Sequence, residues 1–204
     1  FEQLCAIPHG SGNTKAISDY LVRFAAARGL RHIQDAHNNV IIFCPGTPGY
    51  ETAAPVILQG HMDMVCETAP DCAKDMTSEG LDLFVDGDTI GARGTTLGGD
   101  DGIAVAMALA ILDADDIPHP PLEVVLTVDE ETGMLGADAL DASVLQGRTM
   151  LNLDSEDEGI LTVSCAGGNV SVCTLPVTRA PFSGTALTVT VGGLLGGHSG
   201  AEID

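Results

Sequence analysis

Four short stretches of this 204-residue sequence place an imidazole or adjacent carboxylates where they could handle a cation or a proton. In His61-Met62-Asp63 the outer two side chains fall on one side of an extended strand end. One could bind a metal while the other orients it, because a metal-bound imidazole gives its second N–H to a carboxylate or carbonyl. Asp100-Asp101 lies in the glycine-rich loop Gly94 to Gly102 at the mouth of a helix. A carboxylate there can bridge two cations, and a helix N-terminus also favours negative charge with no ion at all. Spacing alone does not choose between Asp100 and Asp101 as the bridge. Glu130-Glu131 offers two carboxylates for two tasks, one on a cation and one on a water. A hydrolase that uses a metal-acidified water needs that division. Asp154, after Leu151-Asn152-Leu153, is a candidate for a further ligand. Glu156, Asp157 and Glu158 read as a solvated acidic turn, and His9, His32, His37 and His119 as surface histidines.

Each stretch alone is commonplace, so the elements that position them carry the argument. Ile17, Tyr20, Leu21 and Phe24 recur at three and four, predicting an amphipathic helix over 13–28 capped by Ser11 or Asn13 and stopped by Gly29. Residues 40–43 and 56–58 are short apolar runs suited to strands buried on both faces. The second run leads directly into Gly60-His61-Met62-Asp63. Residues 83–90 predict a hairpin turning at Asp86-Gly87, followed by a polar loop over 91–102 and a buried helix over 102–112. The strand over 122–128 enters Asp129-Glu130-Glu131, and a strand over 150–153 enters Asp154. Three strands thus deliver polar groups at their C-terminal ends, where open α/β sheets place their ligands. From Gly168 the texture becomes β-rich, with strands expected at 170–175 and 186–191, so two domains are expected, 1–167 and 168–204.

The bulk properties narrow the partners. A net charge of −21 with only eight Lys and Arg disfavours nucleic acid and anionic membrane surfaces. Six cysteines without a CxxC pair read as reduced, buried thiols of a cytoplasmic protein. No stretch of these residues resembles a signal peptide, and the longest apolar stretches are broken by Gly, Asp or Pro short of a membrane span. Nor is there a G-x-S-x-G elbow, a P-loop or a dinucleotide fingerprint, which removes serine-nucleophile and nucleotide readings. Phe1 in place of Met, and an end just after a glycine-rich motif, lead us to expect a piece of a longer chain.

In order, LQGHMDMV (58–65), GTTLGGDDGIAVAMALAIL (94–112), TVDEETGMLGA (127–137), LNLDSEDEG (151–159) and GGHSGAEID (196–204) closely resemble the aminoacyl-histidine dipeptidases. These belong to the two-zinc metallopeptidase superfamily that also holds carboxypeptidase G-type and aminoacylase enzymes. The resemblance implies an α/β catalytic domain with a mixed sheet flanked by helices, interrupted by an inserted α+β lid domain that begins near residue 168. It implies two zinc ions, with manganese or cobalt as substitutes, a small peptide substrate of the Xaa-His type and a homodimer built through the lid. By resemblance, His61 and Asp154 are ligands of one ion, Asp63 orients His61, Asp100 bridges both ions and Glu131 holds the second. Glu130 is the general base, and His198 matches a lid histidine that helps hold the substrate or the developing oxyanion. The family's second imidazole ligand falls beyond residue 204, so the second ion would be held weakly by the residues present. Other amide hydrolases of the superfamily (aminoacylase, tripeptidase, carboxypeptidase) and an inert metal-binding module are the competing readings.

Overall fold

Two short apolar runs, Val40-Ile41-Ile42 and Val124-Val125-Leu126, are buried on both faces, and the fold is built around them. The computed structural model describes residues 1–155, 159–165, 171–181 and 183–193. Its elements are helices α1 (Glu2–Cys5), α2 (Lys15–Ala27), α3 (Gly99–Asp113) and α4 (Leu135–Ala139), with a 3-10 turn at Ala142–Val144. The strands are β1 (Arg31–Gln34), β2 (Val40–Cys44), β3 (Val56–His61), β4 (Leu83–Asp86), β5 (Thr89–Ala92), β6 (Leu122–Thr127) and β7 (Thr149–Asn152). Five strands form one mixed sheet in the order β1-β2-β6-β3-β7, and β4 and β5 form a separate hairpin. Strands β6, β3 and β7 run parallel, while β1 and β2 run antiparallel at the other side. The expected mixed α/β architecture is therefore present.

Alternation along the strands sends their side chains into two layers. Val40, Ile42, Leu58, Val124 and Leu126 meet Ile17, Leu21 and Ala25 of α2 and Val105, Ala108, Leu109 and Leu112 of α3 in the main core. Ile41, Ile57 and Val125 face the opposite side, where Leu140, Val144 and Leu145 cover them. Each fully buried Leu, Ile or Val in these layers contributes about 1.5–3 kcal/mol relative to exposure.

Helix α2 ends where Gly29, at φ +66, takes the left-handed conformation. Its N-cap is Thr14 rather than Ser11 or Asn13. Those two are engaged elsewhere: Ser11 donates to Asp63 and the Asn13 amide donates to the Thr77 carbonyl. The regular part of α3 begins after Asp101, since Asp100 and Asp101 have non-helical backbone angles and the peptide between them is cis. The expected burial of this helix holds on one face only, because Ile103 and Met107 are about half exposed. Strand β7 is exposed at all four positions.

The chain divides into two compact units, Phe1–Ile160 and Leu161–Asp204. In the second unit the strands expected at 170–175 and 186–191 are not formed among the described residues. Val172, Leu175, Leu187 and Val189 are more than four-fifths exposed there, and a strand without a ladder partner leaves its backbone groups to water. Two histidines are corrected as well. His9 and His119 are 4% and 8% exposed rather than on the surface, each with its ring bonded to a nearby carbonyl. The thiols are free as expected, but only Cys5 is buried; Cys66, Cys165 and Cys173 are exposed. Among the described residues no helix is long and apolar enough to cross a membrane.

Candidate metal centre

Parallel registry brings the site together. His61 lies opposite Thr127 across the β3/β6 ladder, and Gln59 lies opposite Asn152 across β3/β7. The C-terminal ends of three neighbouring strands therefore open at one edge, with Asp63, Glu130-Glu131 and Asp154 just beyond them. Asp100 arrives at the same edge from the start of α3.

His61 is the centre of this arrangement and is 1% exposed. Its Nδ1 lies 2.9 Å from the Asp63 carbonyl and 3.4 Å from Asp63 Oδ1. With Nδ1 donating to Asp63, Nε2 faces Asp100 Oδ1 at 3.0 Å and Asp154 Oδ2 at 4.0 Å. Asp63 is equally buried, and its Oδ1 accepts the Glu130 N–H at 3.1 Å. The two adjacent aspartates divide their work. Asp100 has a half-exposed side chain turned to the imidazole. Asp101 is 3% exposed and accepts the His61 backbone N–H at 3.0 Å. Position 60 must be glycine for this, since a Cβ there would stand 2.6 Å from Asp101 Oδ2 and 2.8 Å from the Ala104 methyl.

Among the described residues two sets of ligand-type atoms converge within 4.8 Å of one another: His61, Asp100 and Glu131, and His61, Glu130 and Asp154. The electrostatics show what such crowding costs. Burial opposes protonation of His61, yet the hydrogen bond and charge of Asp63, with Asp101 and Asp100, outweigh it and hold the imidazole at about 10. For Asp63 burial is likewise outweighed, by hydrogen bonds from His61, Ser11 and the Glu130 N–H, so its carboxyl lies below the usual range. Burial pushes Asp101 up to about 7, reinforced by Asp154 and Asp100 against the opposing pull of His61. Burial also raises Glu130 and Glu131, and neighbouring carboxylates add to the rise. Lys15, Arg28 and Lys74 pair with Asp19, Asp113 and Asp82, none of which belongs to this cluster. Carboxylates crowded beside one imidazole are relieved by a divalent cation, and imidazole nitrogen with carboxylate oxygen suits zinc, manganese or cobalt.

Of the residues singled out from the sequence, His61, Asp63, Asp100, Glu130, Glu131 and Asp154 lie together at this edge. His198 lies outside the described residues. Sequence reasoning did not find Ser11, whose hydroxyl donates to Asp63 Oδ2 at 2.8 Å, or Asp129, which accepts the Gly12 N–H at 2.7 Å. The only trace of the first pair in the sequence is a turn-forming Gly10-Ser11-Gly12-Asn13 run. Asp129 sits at φ +55 and so turns the chain between β6 and Glu130.

Comparison with known proteins places the chain in a family. The model of peptidase family M20/M25/M40 matches residues 57–176. The chain is 41% identical to the cytosol non-specific dipeptidase of Escherichia coli (strain K12) over 205 residues, covering all of this chain and 42% of that protein. The crystal structure of aminoacylhistidine dipeptidase from Vibrio alginolyticus is similar with a TM-score of 0.75 and 44% identity, over 78% of this chain and 32% of that one. A tripeptidase from Staphylococcus aureus aligns with a TM-score of 0.63 and 26% identity, over 76% of this chain and 42% of that one. This chain thus spans less than half the length of each of these relatives. The family match runs over more than half of the chain, and on that ground the chain belongs to peptidase family M20/M25/M40.

Proposed function

We propose that the protein carrying this chain is a metal-dependent dipeptidase that cleaves Xaa-His dipeptides such as β-alanyl-histidine. The observation that carries the reading is the His61 imidazole, with Nδ1 on Asp63 and Nε2 turned toward Asp100 and Asp154. The name of the V. alginolyticus relative supports the Xaa-His class, and that of the E. coli relative supports dipeptides in general.

In this reading His61 and Asp154 would hold one divalent ion and Glu131 a second, with Asp100 as a ligand available to both. When bound, two zinc ions would polarise the scissile carbonyl and acidify the attacking water. Glu130 accepts the proton of that water and returns it to the leaving amine. Asp63 keeps the His61 ring in one tautomer. Asp101 anchors the end of β3 to α3 through the His61 amide. Residues 1–167 form the first part of the catalytic domain. Residues 168–204 begin a lid domain through which two copies pair, and by resemblance His198 helps hold the substrate or the developing oxyanion. The protein works in the cytoplasm, and manganese or cobalt can replace zinc.

A tripeptidase is the second reading, favoured by the structural likeness to the S. aureus enzyme. One assay separates them: β-alanyl-histidine and a set of tripeptides are offered to the protein expressed from its full reading frame, with zinc and then with chelator. Chelator-sensitive cleavage of the dipeptide is the expected result. Cleavage of tripeptides alone transfers the assignment to the second reading, and zinc binding without hydrolysis of either overturns both.

A further inference from the structure

The loop Gly10-Ser11-Gly12-Asn13 plays no part in the chemistry above, yet two of its groups grip the metal centre. Ser11 Oγ donates to Asp63 Oδ2 at 2.8 Å, across 52 residues of sequence. The Gly12 N–H donates to Asp129 Oδ1 at 2.7 Å, across 117 residues. The loop is itself fixed against the chain that leaves β3. Gly10 pairs with Met64 in a parallel bridge, the Ser11 N–H donates to the Met64 carbonyl, and the Met64 N–H donates to the His9 carbonyl. A side chain at position 10 would collide with Cys66 Sγ at 2.5 Å, so the approach is close.

We propose that Ser11 is a positioning residue that locks the rotation of the Asp63 carboxylate, and through it the His61 ring, and so sets the affinity for the ion held by His61. The inference rests on the metal reading of the site. Its logic follows the two oxygens of Asp63. Oδ1 has the Glu130 N–H at 3.1 Å and His61 Nδ1 at 3.4 Å, and Oδ2 has Ser11. Asp63 is 1% exposed, so bulk water cannot stand in for a lost donor. Without the hydroxyl, the carboxylate is held from one side only; the imidazole keeps its bond to the Asp63 carbonyl at 2.9 Å but loses a fixed partner at Oδ1. Partners that orient a metal-bound histidine typically change affinity by about 10–100-fold when removed; Ser11 acts one hydrogen bond further out, so about tenfold is expected.

The test is a zinc titration, in competition with a chromophoric chelator, of the parent protein and of Ser11→Ala, Ser11→Thr and His61→Ala. The absorption spectrum of the cobalt-loaded forms is recorded alongside. Ser11→Ala should bind zinc about tenfold more weakly and shift the cobalt bands, and Ser11→Thr, which keeps the hydroxyl, should return to within about threefold of the parent. The thermal midpoint of metal-free Ser11→Ala should fall by a few degrees, because a buried carboxylate loses its donor, and Ser11→Thr should restore it. Parental zinc affinity and an unchanged cobalt spectrum in Ser11→Ala would overturn the proposal. So would a loss of affinity that Ser11→Thr does not restore, since that marks a merely structural role. A parent protein that binds zinc no better than His61→Ala would instead overturn the metal reading itself.

Discussion

The two ends of the parallel strands β3 and β6 each bury a carboxylate, and they do so in opposite ways. At the start of β6, Glu123 is 4% exposed and is satisfied by backbone donors alone: the Gln146 N–H at 2.9 Å and 3.1 Å and the Gly147 N–H at 3.0 Å. At the other end Asp63, Asp100, Glu130, Glu131 and Asp154 crowd one imidazole. Burial alone therefore does not mark a functional carboxylate. A buried acid that receives neutral N–H donors is a fastening, whereas several acids sharing one imidazole form a socket for positive charge.

That contrast yields an ordered set of expectations. The largest is at the socket: Glu130→Gln should lower kcat by about a thousandfold or more while metal content, measured by elemental analysis, stays at the parental level. Retention of most activity would remove Glu130 from the role of base. Next comes the fastening. Glu123→Ala leaves the buried Gly147 N–H and the part-buried Gln146 N–H without an acceptor and should cost about 3 kcal/mol in urea denaturation, with zinc affinity within about twofold of the parent. A large drop in zinc affinity there would mean that the two ends are coupled. Smaller still, Gly60→Ala forces a Cβ against Asp101 and Ala104 and should cost about 2 kcal/mol. Unlike Glu123→Ala, it should also weaken zinc binding, because the collision moves His61.

The smallest effect concerns pH. Burial holds the His9 pKa below its ordinary 6.5, against opposing contributions from the Ile7 carbonyl and Asp63. The unfolded chain then binds the proton more readily than the folded one, so this group's contribution to stability is intact above about pH 6.5 and is lost as pH falls below it. Denaturation midpoints taken from pH 7.5 down to 5.5 should fall less steeply in His9→Gln than in the parent. Equal slopes would show that the acid sensitivity belongs to the cluster alone.

Much of this was legible in the sequence where a single local signal sufficed. The runs Val40-Ile41-Ile42 and Leu122 to Val128 have one plausible use, as strands buried on both faces, and the acids that follow β3, β6 and β7 are fixed by adjacency. What was not legible depends on partners distant along the chain. Strand β1 has one aliphatic residue, Ile33, and exists because it lies beside β2, with Arg31 stacked 3.5 Å from the Phe43 ring centre. The burial of His9 and His119 is likewise decided by what packs over them. The apolar alternation at 186–191 misled in the opposite sense, since a strand pattern is only half of a ladder. The roles of Asp100 and Asp101 could not be split by spacing, and it is the direction of each side chain that separates them.

The contacts that build the socket span long stretches of chain: 39 residues from His61 to Asp100, 67 from Asp63 to Glu130 and 117 from Gly12 to Asp129. No single stretch of the sequence carries the site, and a folding chain acquires it only after the β3 to β6 crossover has closed. Contacts of such long range form late and slowly. An ion captured at the end of that process has little to offer the early chain, but it must be released before the strands can part. Bound metal should therefore act on the clock of unfolding far more than on that of folding, as a latch that sets how long the folded molecule persists.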